Sequence, residues 1–347
     1  MALIPVGKLT PQQLHEAVFK YRGYQRPEVL LGSSLGEDAA VIAFGPGQVV
    51  VSTDPITGAS CRSGWLAVHV AANDVLCSGA EPVACLITIL APLNTEESKI
   101  AIIMKEASEA AQELQMEICG GHTEVTDSVN RIIISTVVLG IRNEELFPGN
   151  LCIEPDSAIV VSKPVGLEGS AILARDYHRQ LSGFMESSEL EELSSFFNSI
   201  SVARESRIAV RHGVMVMHDV TEGGILGALF EMSLSRKMGF TLEEEAIPIH
   251  PLTHKLCQIM HADPLRLISS GCLIIVCRVG ETLVKELREQ GMDAAVVGHF
   301  TSRQERIMLR RDSSSGCMER HIIDQPSGDA LWDIQARLTP SVKHHDP

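Results

Sequence analysis

No stretch of this chain is apolar for long enough to cross a bilayer, and its first residues, MALIPVGKLT, lack the apolar run of a secretory signal. The expectation is a soluble, cytoplasmic protein with no membrane partner. Aromatic residues are scarce, at 4%, so packed cores must be built from Val, Ile, Leu, Met and Ala. Positive charge is also short: 29 Lys plus Arg stand against 44 Asp plus Glu, a formal net charge of -15. A surface that acidic argues against a nucleic-acid partner. It does not argue against a phosphorylated small molecule, because a divalent cation can bridge carboxylates to phosphates. Nine cysteines include no Cys-x-x-Cys, and the nearest two, Cys272 and Cys277, suit neither a zinc site nor a disulfide framework. Most of them are expected as small core residues. The common nucleotide signatures are missing too: no G-x-x-x-x-G-K-[ST], no G-x-G-x-x-G after a strand and no kinase set. A nucleotide site here must be of another design.

The 347 residues suffice for two domains. The organising stretch is Gly64 to Pro82, GWLAVHVAANDVLCSGAEP, predicted as a helix from Trp65 to Cys77 that stops at Gly79 and Pro82. Its apolar residues go all the way round, which marks a buried helix. Asn73 and Asp74 interrupt that apolar surface, and a buried carboxylate is costly unless a cation or hydrogen-bond donors meet it. Magnesium carrying phosphates is one answer, and neighbouring backbone N–H groups are the other.

Before this helix, Ala39–Phe44 and Val49–Thr53 flank the turn Gly45-Pro46-Gly47 and are predicted as a hairpin with Asp38 and Asp54 on one edge. After it come a strand, Ala84–Ala91, and a helix from Thr95 to Leu114. In MEICGGHTEV a strand is expected to end at Cys119, with Gly120-Gly121 as a tight turn that lets backbone approach a ligand. Ile132–Ile141 is a long apolar strand. The first half, 1–150, is thus α+β with a largely antiparallel sheet. In the second half, 151–347, the strand Ala158–Ser162 leads into a loop with Gly166 and Gly169 and then a helix. Residues 183–199 are expected as a solvated helix. His218-Asp219 follows a strand ending at Met217, and Gly223-Gly224 bares the N-terminus of the helix Ile225–Leu234, a suitable place for phosphate or metal.

Asp38, Asp54, Asp74 and Asp219 all lie at expected strand ends or in apolar surroundings. Each alone reads equally as a helix cap or a satisfied polar group. As a converging set without matching cations they would repel one another, and oxygen ligands of this kind suit magnesium. Magnesium with carboxylates and glycine loops points to phosphoryl transfer or ATP binding. His218 and His122 are the candidate bases, since imidazole titrates near neutrality.

The ordered set GEDAAVI, STDP, GWLAVHVAANDVLCSGAEP, GGHTEV, HDVTEGGILGALFEM and DPLRLISSGCLIIV resembles the superfamily of aminoimidazole ribonucleotide synthetase, over roughly residues 30 to 300. That superfamily includes thiamine-monophosphate kinase, selenophosphate synthetase and the hydrogenase maturation protein HypE. The resemblance implies a PurM-like two-domain architecture. The N-terminal sheet would pair with that of a second subunit to make a barrel, and the C-terminal domain would be α+β. It implies ATP and Mg2+ between the domains, with Asp38, Asp54, Asp74 and Asp219 as metal ligands and Asn73 and Thr123 near the phosphates. Gly120, Gly121, Gly223 and Gly224 are the candidate backbone contacts.

Within the superfamily, DPLRLISSG looks most like the HypE branch, which acts by dehydrating a carboxamide on a terminal Cys. This chain ends His-His-Asp-Pro and its last cysteine is Cys317, so thiocyanate formation on its own tail is not expected. His122 stands where HypE and the thiamine kinase have Asp, so Glu124 or His122 itself would replace that metal contact. The leading expectation is an ATP- and Mg-dependent homodimeric enzyme that activates an amide- or phosphate-like oxygen of a small substrate. The alternatives are a non-catalytic ATP-binding partner of metalloenzyme maturation factors and a thiamine-monophosphate-kinase-like phosphotransferase.

Overall fold

The computed structural model describes residues 7–8, 11–31, 41–42, 48–57, 62–142, 152–312, 316–324 and 328–338. Its contacts divide the chain into two units, Met1–Gly149 and Asn150–Pro347. Both mix helices with sheet.

In the first unit, β1 is Gly7–Lys8, and a short helix, α1 (Pro11–Leu14), continues as a wider turn through Phe19. β2 (Val29–Leu31) and β3 (Val41–Ile42) follow, then β4 (Gln48–Ile56), α2 (Ser63–Cys77), β5 (Ala80–Pro92), α3 (Glu97–Glu113), β6 (Glu117–Thr126) and β7 (Ile133–Arg142). The main sheet has the order β1-β6-β5-β7-β4 and stays open. All its pairings are antiparallel except β5 with β6, which are joined through α3, the crossover that parallel neighbours require. Strand β7 alternates buried and half-exposed residues, the mark of a sheet covered on one face only. The cover is α2 and α3. Helix α2 is buried around its circumference, with Trp65, Leu66, Val68, Val75 and Leu76 each at 2% exposure or less. Burial of such side chains stabilises by roughly 1.5–3 kcal/mol each.

Two expectations fail here. Val41–Ile42 pairs with Val29–Leu31, not with β4, so the expected 39–44/49–53 hairpin is not the pairing among the described residues. Strand β4 instead runs nine residues against β7, a ladder that a turn-adjacent pairing of a few residues cannot match. Gly120-Gly121 is not a turn: it lies inside the continuous strand β6. The pairing of β5 with β6 shifts register there, between Cys85 and Leu86. A Cβ on Gly121, at φ +151, would stand 1.9 Å from the Ile87 carbonyl oxygen. The glycines therefore serve an irregularity and close backbone approach within a strand.

The second unit contains β8 (Ala158–Ser162), α4 (Leu167–Asp176), α5 (His178–Leu181), α6 (Ser187–Ser195), α7 (Ala203–Arg211), β9 (Val216–Asp219), α8 (Gly224–Arg236) and β10 (Gly239–Glu243). Then come α9 (Pro251–Met260), β11 (Leu273–Cys277), α10 (Gly280–Glu289), β12 (Ala294–Thr301), β13 (Arg306–Arg311), β14 (Met318–Ile322) and α11 (Ala330–Leu338). The sheet order is β14-β13-β10-β12-β8-β11-β9, antiparallel except for β10 with β13. Strand β11 is buried along its whole length, as is fitting for LIIVC, which has no polar alternation. Phe240 and Phe300 meet edge-on at 6.3 Å within the core. Gly169 sits inside α4, not in a loop, and residues 183–199 are not a solvated helix. Leu190, Leu193, Phe196 and Phe197 bury one side of that segment. His218 and Asp219 belong to β9 itself.

Candidate functional site

Helix α2 and strand β4 bring two of the four predicted aspartates together. On β4 the residues from Val50 to Ile56 alternate, with Ser52 and Asp54 on the more buried side, facing the helices. Asp74 lies on α2, one residue beyond the buried Asn73. Ser52 Oγ donates to Asp74 Oδ2 at 2.5 Å, and Asp54 and Asp74 hydrogen-bond to each other. Burial, the Asp74 charge and that shared hydrogen bond push the Asp54 carboxyl up to about 7. No Lys or Arg ion-pairs with Asp54 or Asp74 among the described residues. The donor set is all oxygen: two carboxylates and a serine hydroxyl. It fits magnesium, which takes one or two protein carboxylates and completes its shell with water and phosphate oxygens. Among the described residues no three His, Cys, Asp or Glu side chains cluster as a closed metal cage.

Thr123 is buried and lies in the same sheet row as Ile89, on the helix-covered face. His122 points to the other face. It pairs with Glu124 at 3.3 Å, both about two-fifths exposed, and β5 and β7 separate its strand from Asp54. Asp38 lies outside the described residues.

The second unit holds the remaining candidates. Asp219 is 4% exposed at the end of β9, and His218 Nδ1 donates to the Asp219 carbonyl at 2.6 Å, leaving Nε2 as the nitrogen open to a proton. Gly223 and Gly224 have φ of +85 and +63, and the Gly223 N–H donates to Asp329 Oδ2 at 2.7 Å. The helix N-terminus read as a phosphate site thus already holds a carboxylate of the chain. Beside it, Glu168 is 4% exposed. Burial pushes its carboxyl up to about 7, against hydrogen bonds from Ser270 and with the Asp329 charge adding to the rise. Burial likewise holds the Asp329 carboxyl above its usual range.

Sequence reasoning missed Ser52, Glu168 and Asp329. For Glu168 a signal exists, a lone acid in the apolar run KPVGLEGSAILA; for Asp329, remote from its partner in sequence, none does. Six of the eight described cysteines are buried core residues, and burial raises thiols such as Cys272 to about 12, which keeps those buried thiols from acting as nucleophiles.

Residues 36–142 match the family model of the AIR synthase related protein N-terminal domain, and residues 154–310 match that of its C-terminal domain. A Methanocaldococcus jannaschii protein assigned to hydrogenase expression and formation is 27% identical over 335 residues, covering 94% of this chain and 96% of the relative. The carbamoyl dehydratase HypE of Cupriavidus necator is 27% identical over 309 residues, covering 85% of each. The crystal structure of a hydrogenase maturation protein HypE in complex with ATP superposes with a TM-score of 0.75 at 21% identity, covering 92% of this chain and 96% of that one.

Proposed function

The chain belongs to the AIR synthase related family, and from that premise we propose that it is an ATP- and magnesium-dependent enzyme of the HypE type that activates an amide-like oxygen of a small substrate by phosphoryl transfer. The observation that carries the reading is the hydrogen-bonded Asp54–Asp74 pair, which has no Lys or Arg ion pair among the described residues and so suits a divalent ion. When bound, magnesium would neutralise the charge that spreads over the transferring phosphoryl oxygens. The chain's own residues supply the rest. Ser52 fixes Asp74, and Asn73, the preceding residue of the helix, is buried. In the second unit, the Asp219 carbonyl sets the tautomer of His218 and leaves Nε2 able to take a proton. His122 is too far across the sheet from the carboxylate pair for that task, and neither it nor Glu124 replaces a ligand there. The naming of relatives for carbamoyl dehydration and for ATP binding supports an amide oxygen as acceptor and ATP as donor.

The half-exposed face of the first unit's sheet supports the homodimer. Val49 and Val51 there are 44% and 56% exposed, and a second copy's sheet would bury them in a barrel. A maturation-factor partner is supported by the relatives' assignment to hydrogenase formation. The test is phosphate release from Mg-ATP by purified protein, with and without Asp54→Asn. Equal rates overturn the site. A thermal shift with Mg-ATP but no release, alone or with a carboxamide acceptor, would favour a non-catalytic binding partner.

A further inference from the structure

Every side chain of strand β14, sequence MERHI, is exposed, with Met318 at 46% and Ile322 at 77%. The strand ends its sheet: β13 pairs with one side of it, and no described strand pairs with the other. An uncovered edge is a template for further pairing, which chains guard with proline, bulges or charge. Strand β14 has no proline, and its register with β13 is unbroken. Its guards are the charges of Glu319, Arg320 and His321.

The hydrogen bonds fix which groups face outward. Asp312 N–H donates to the Cys317 carbonyl and Ile323 N–H to the Arg306 carbonyl, each at 2.9 Å. In an antiparallel ladder the residues bonded to one neighbour recur at every second position. Glu319 and His321 therefore bond inward to β13, and the N–H and C=O groups of Met318, Arg320 and Ile322 point to the open side. A second copy paired antiparallel about a two-fold axis must match residues of the same face, so the axis passes through a residue. With the axis at Arg320, Met318 faces the partner's Ile322 and Glu319 faces the partner's His321. All three outward residues are then bonded in pairs, giving about six main-chain hydrogen bonds. An axis at Glu319 would set that carboxylate against its own copy. An axis at His321 would set Arg320 against an isoleucine. The charges that guard this edge against other strands are thus complementary to the same edge turned round. The exception is Arg320, which meets its own copy; Glu305 lies 3.4 Å from each guanidinium and offsets that repulsion.

We propose that β14 pairs with β14 of a second copy of this chain, in the antiparallel register centred on Arg320, and joins two second-unit sheets into one. The contact uses none of the first unit's sheet face. Two different two-fold contacts on one chain build assemblies above a dimer. A pairing of one short strand lies at the small end of interface sizes, so the association is weak and depends on concentration.

Self-association of the full chain is measured by sedimentation equilibrium from roughly 10 μM to 1 mM. The samples are the wild type, Arg320→Pro, Glu319→Lys, and Glu319→Lys combined with His321→Glu. Proline at position 320 removes an outward N–H and no bond to β13, so the β13–β14 ladder stays. It should weaken association by at least about tenfold. Glu319→Lys should weaken it about three- to thirtyfold. Adding His321→Glu should bring it back to within about threefold of wild type, because the swap re-forms both cross-strand pairs. That rescue carries the test should Arg320→Pro fail to fold. Failure of the swap to rescue overturns the pairing, as do equal association constants for all four proteins. A wild type that stays monomeric throughout also overturns it, and leaves β14 guarded by its charges or paired with a different protein. Val51→Lys, on the first unit's sheet face, tells the two contacts apart. If it lowers the mass and Arg320→Pro does not, the β14 pairing fails and the first-unit dimer stands; the reverse sinks the first-unit dimer alone.

Discussion

Each unit brings two carboxyl groups together in apolar surroundings, and the two pairs are built differently. Asp54 and Asp74 are half-buried, and beyond their mutual hydrogen bond the Ser52 hydroxyl donates to Asp74. Glu168 and Asp329 are almost fully buried, and the Asp329 oxygens are met by backbone N–H groups of Gly223, Leu331 and Ile268. A carboxylate filled with backbone donors has little left to offer a cation. One open to solvent and short of donors keeps its lone pairs for a ligand. Burial and raised pKa are common to both pairs, so neither alone marks a metal site; the state of the oxygen lone pairs does.

The largest expected effect tests that distinction directly. Asp54→Asn should cut ATP turnover by roughly 10²–10³-fold, the usual scale for removing one group that stabilises transition-state charge. Glu168→Gln should stay within about threefold of wild type in the same phosphate-release assay. Equal losses in both would show that the buried pair is also part of the chemistry.

The order reverses for stability. The Glu168 carboxyl sits at about 7 in the folded protein, above its value of 4.5 when unfolded. A raised carboxyl pKa means that the folded state holds its proton more tightly. Its contribution is therefore fully present below the unfolded value and is lost as pH rises toward and through 7. Glu168→Gln should remove this slope and gain up to about 3 kcal/mol at pH 8 by urea unfolding, with little gain near pH 4.5. A variant equally or less stable than wild type at pH 8 would mean that the charge is compensated.

A smaller effect concerns magnesium alone. Because Asp54 must lose its proton to bind metal, magnesium should raise the melting temperature by a few degrees at pH 8 and much less at pH 5. Asp54→Asn should abolish the shift and Glu168→Gln should keep it.

The sequence made the long elements legible because packing agreed with local pattern. The α2 helix, with its all-round apolar surface and sudden Asn73-Asp74, and the unbroken LIIVC strand needed no tertiary knowledge. The structure sets Asp54 beside Asp74, although the hairpin expected to bring Asp54 beside Asp38 is not the pairing of the described residues: β7 holds β4 instead. What stayed illegible depends on remote contacts. Gly120-Gly121 carries turn chemistry in its composition, and only the neighbouring Ile87 carbonyl makes it a strand. Asp329 becomes meaningful only when the chain returns, after more than a hundred residues, to the helix that Gly223 opens.

The smallest effect is expected at His122, and it sets the outer limit of the first unit's site. His122 and Glu124 share the half-exposed sheet face, while Asp54 lies on the other, beneath the helix α2 that carries Asp74. Two strands separate His122 from Asp54, a span of about 14 Å at the usual strand spacing, beyond hydrogen-bond or direct ligand reach. An exposed His–Glu pair of this kind contributes on the order of 0–1 kcal/mol. His122→Ala should therefore change stability by less than about 1 kcal/mol and leave turnover within about threefold. Loss of turnover by more than tenfold, with magnesium's thermal shift intact, would instead place reacting groups on the uncovered face. The Asp54–Asp74 pair would then be only half of a site that wraps around the sheet.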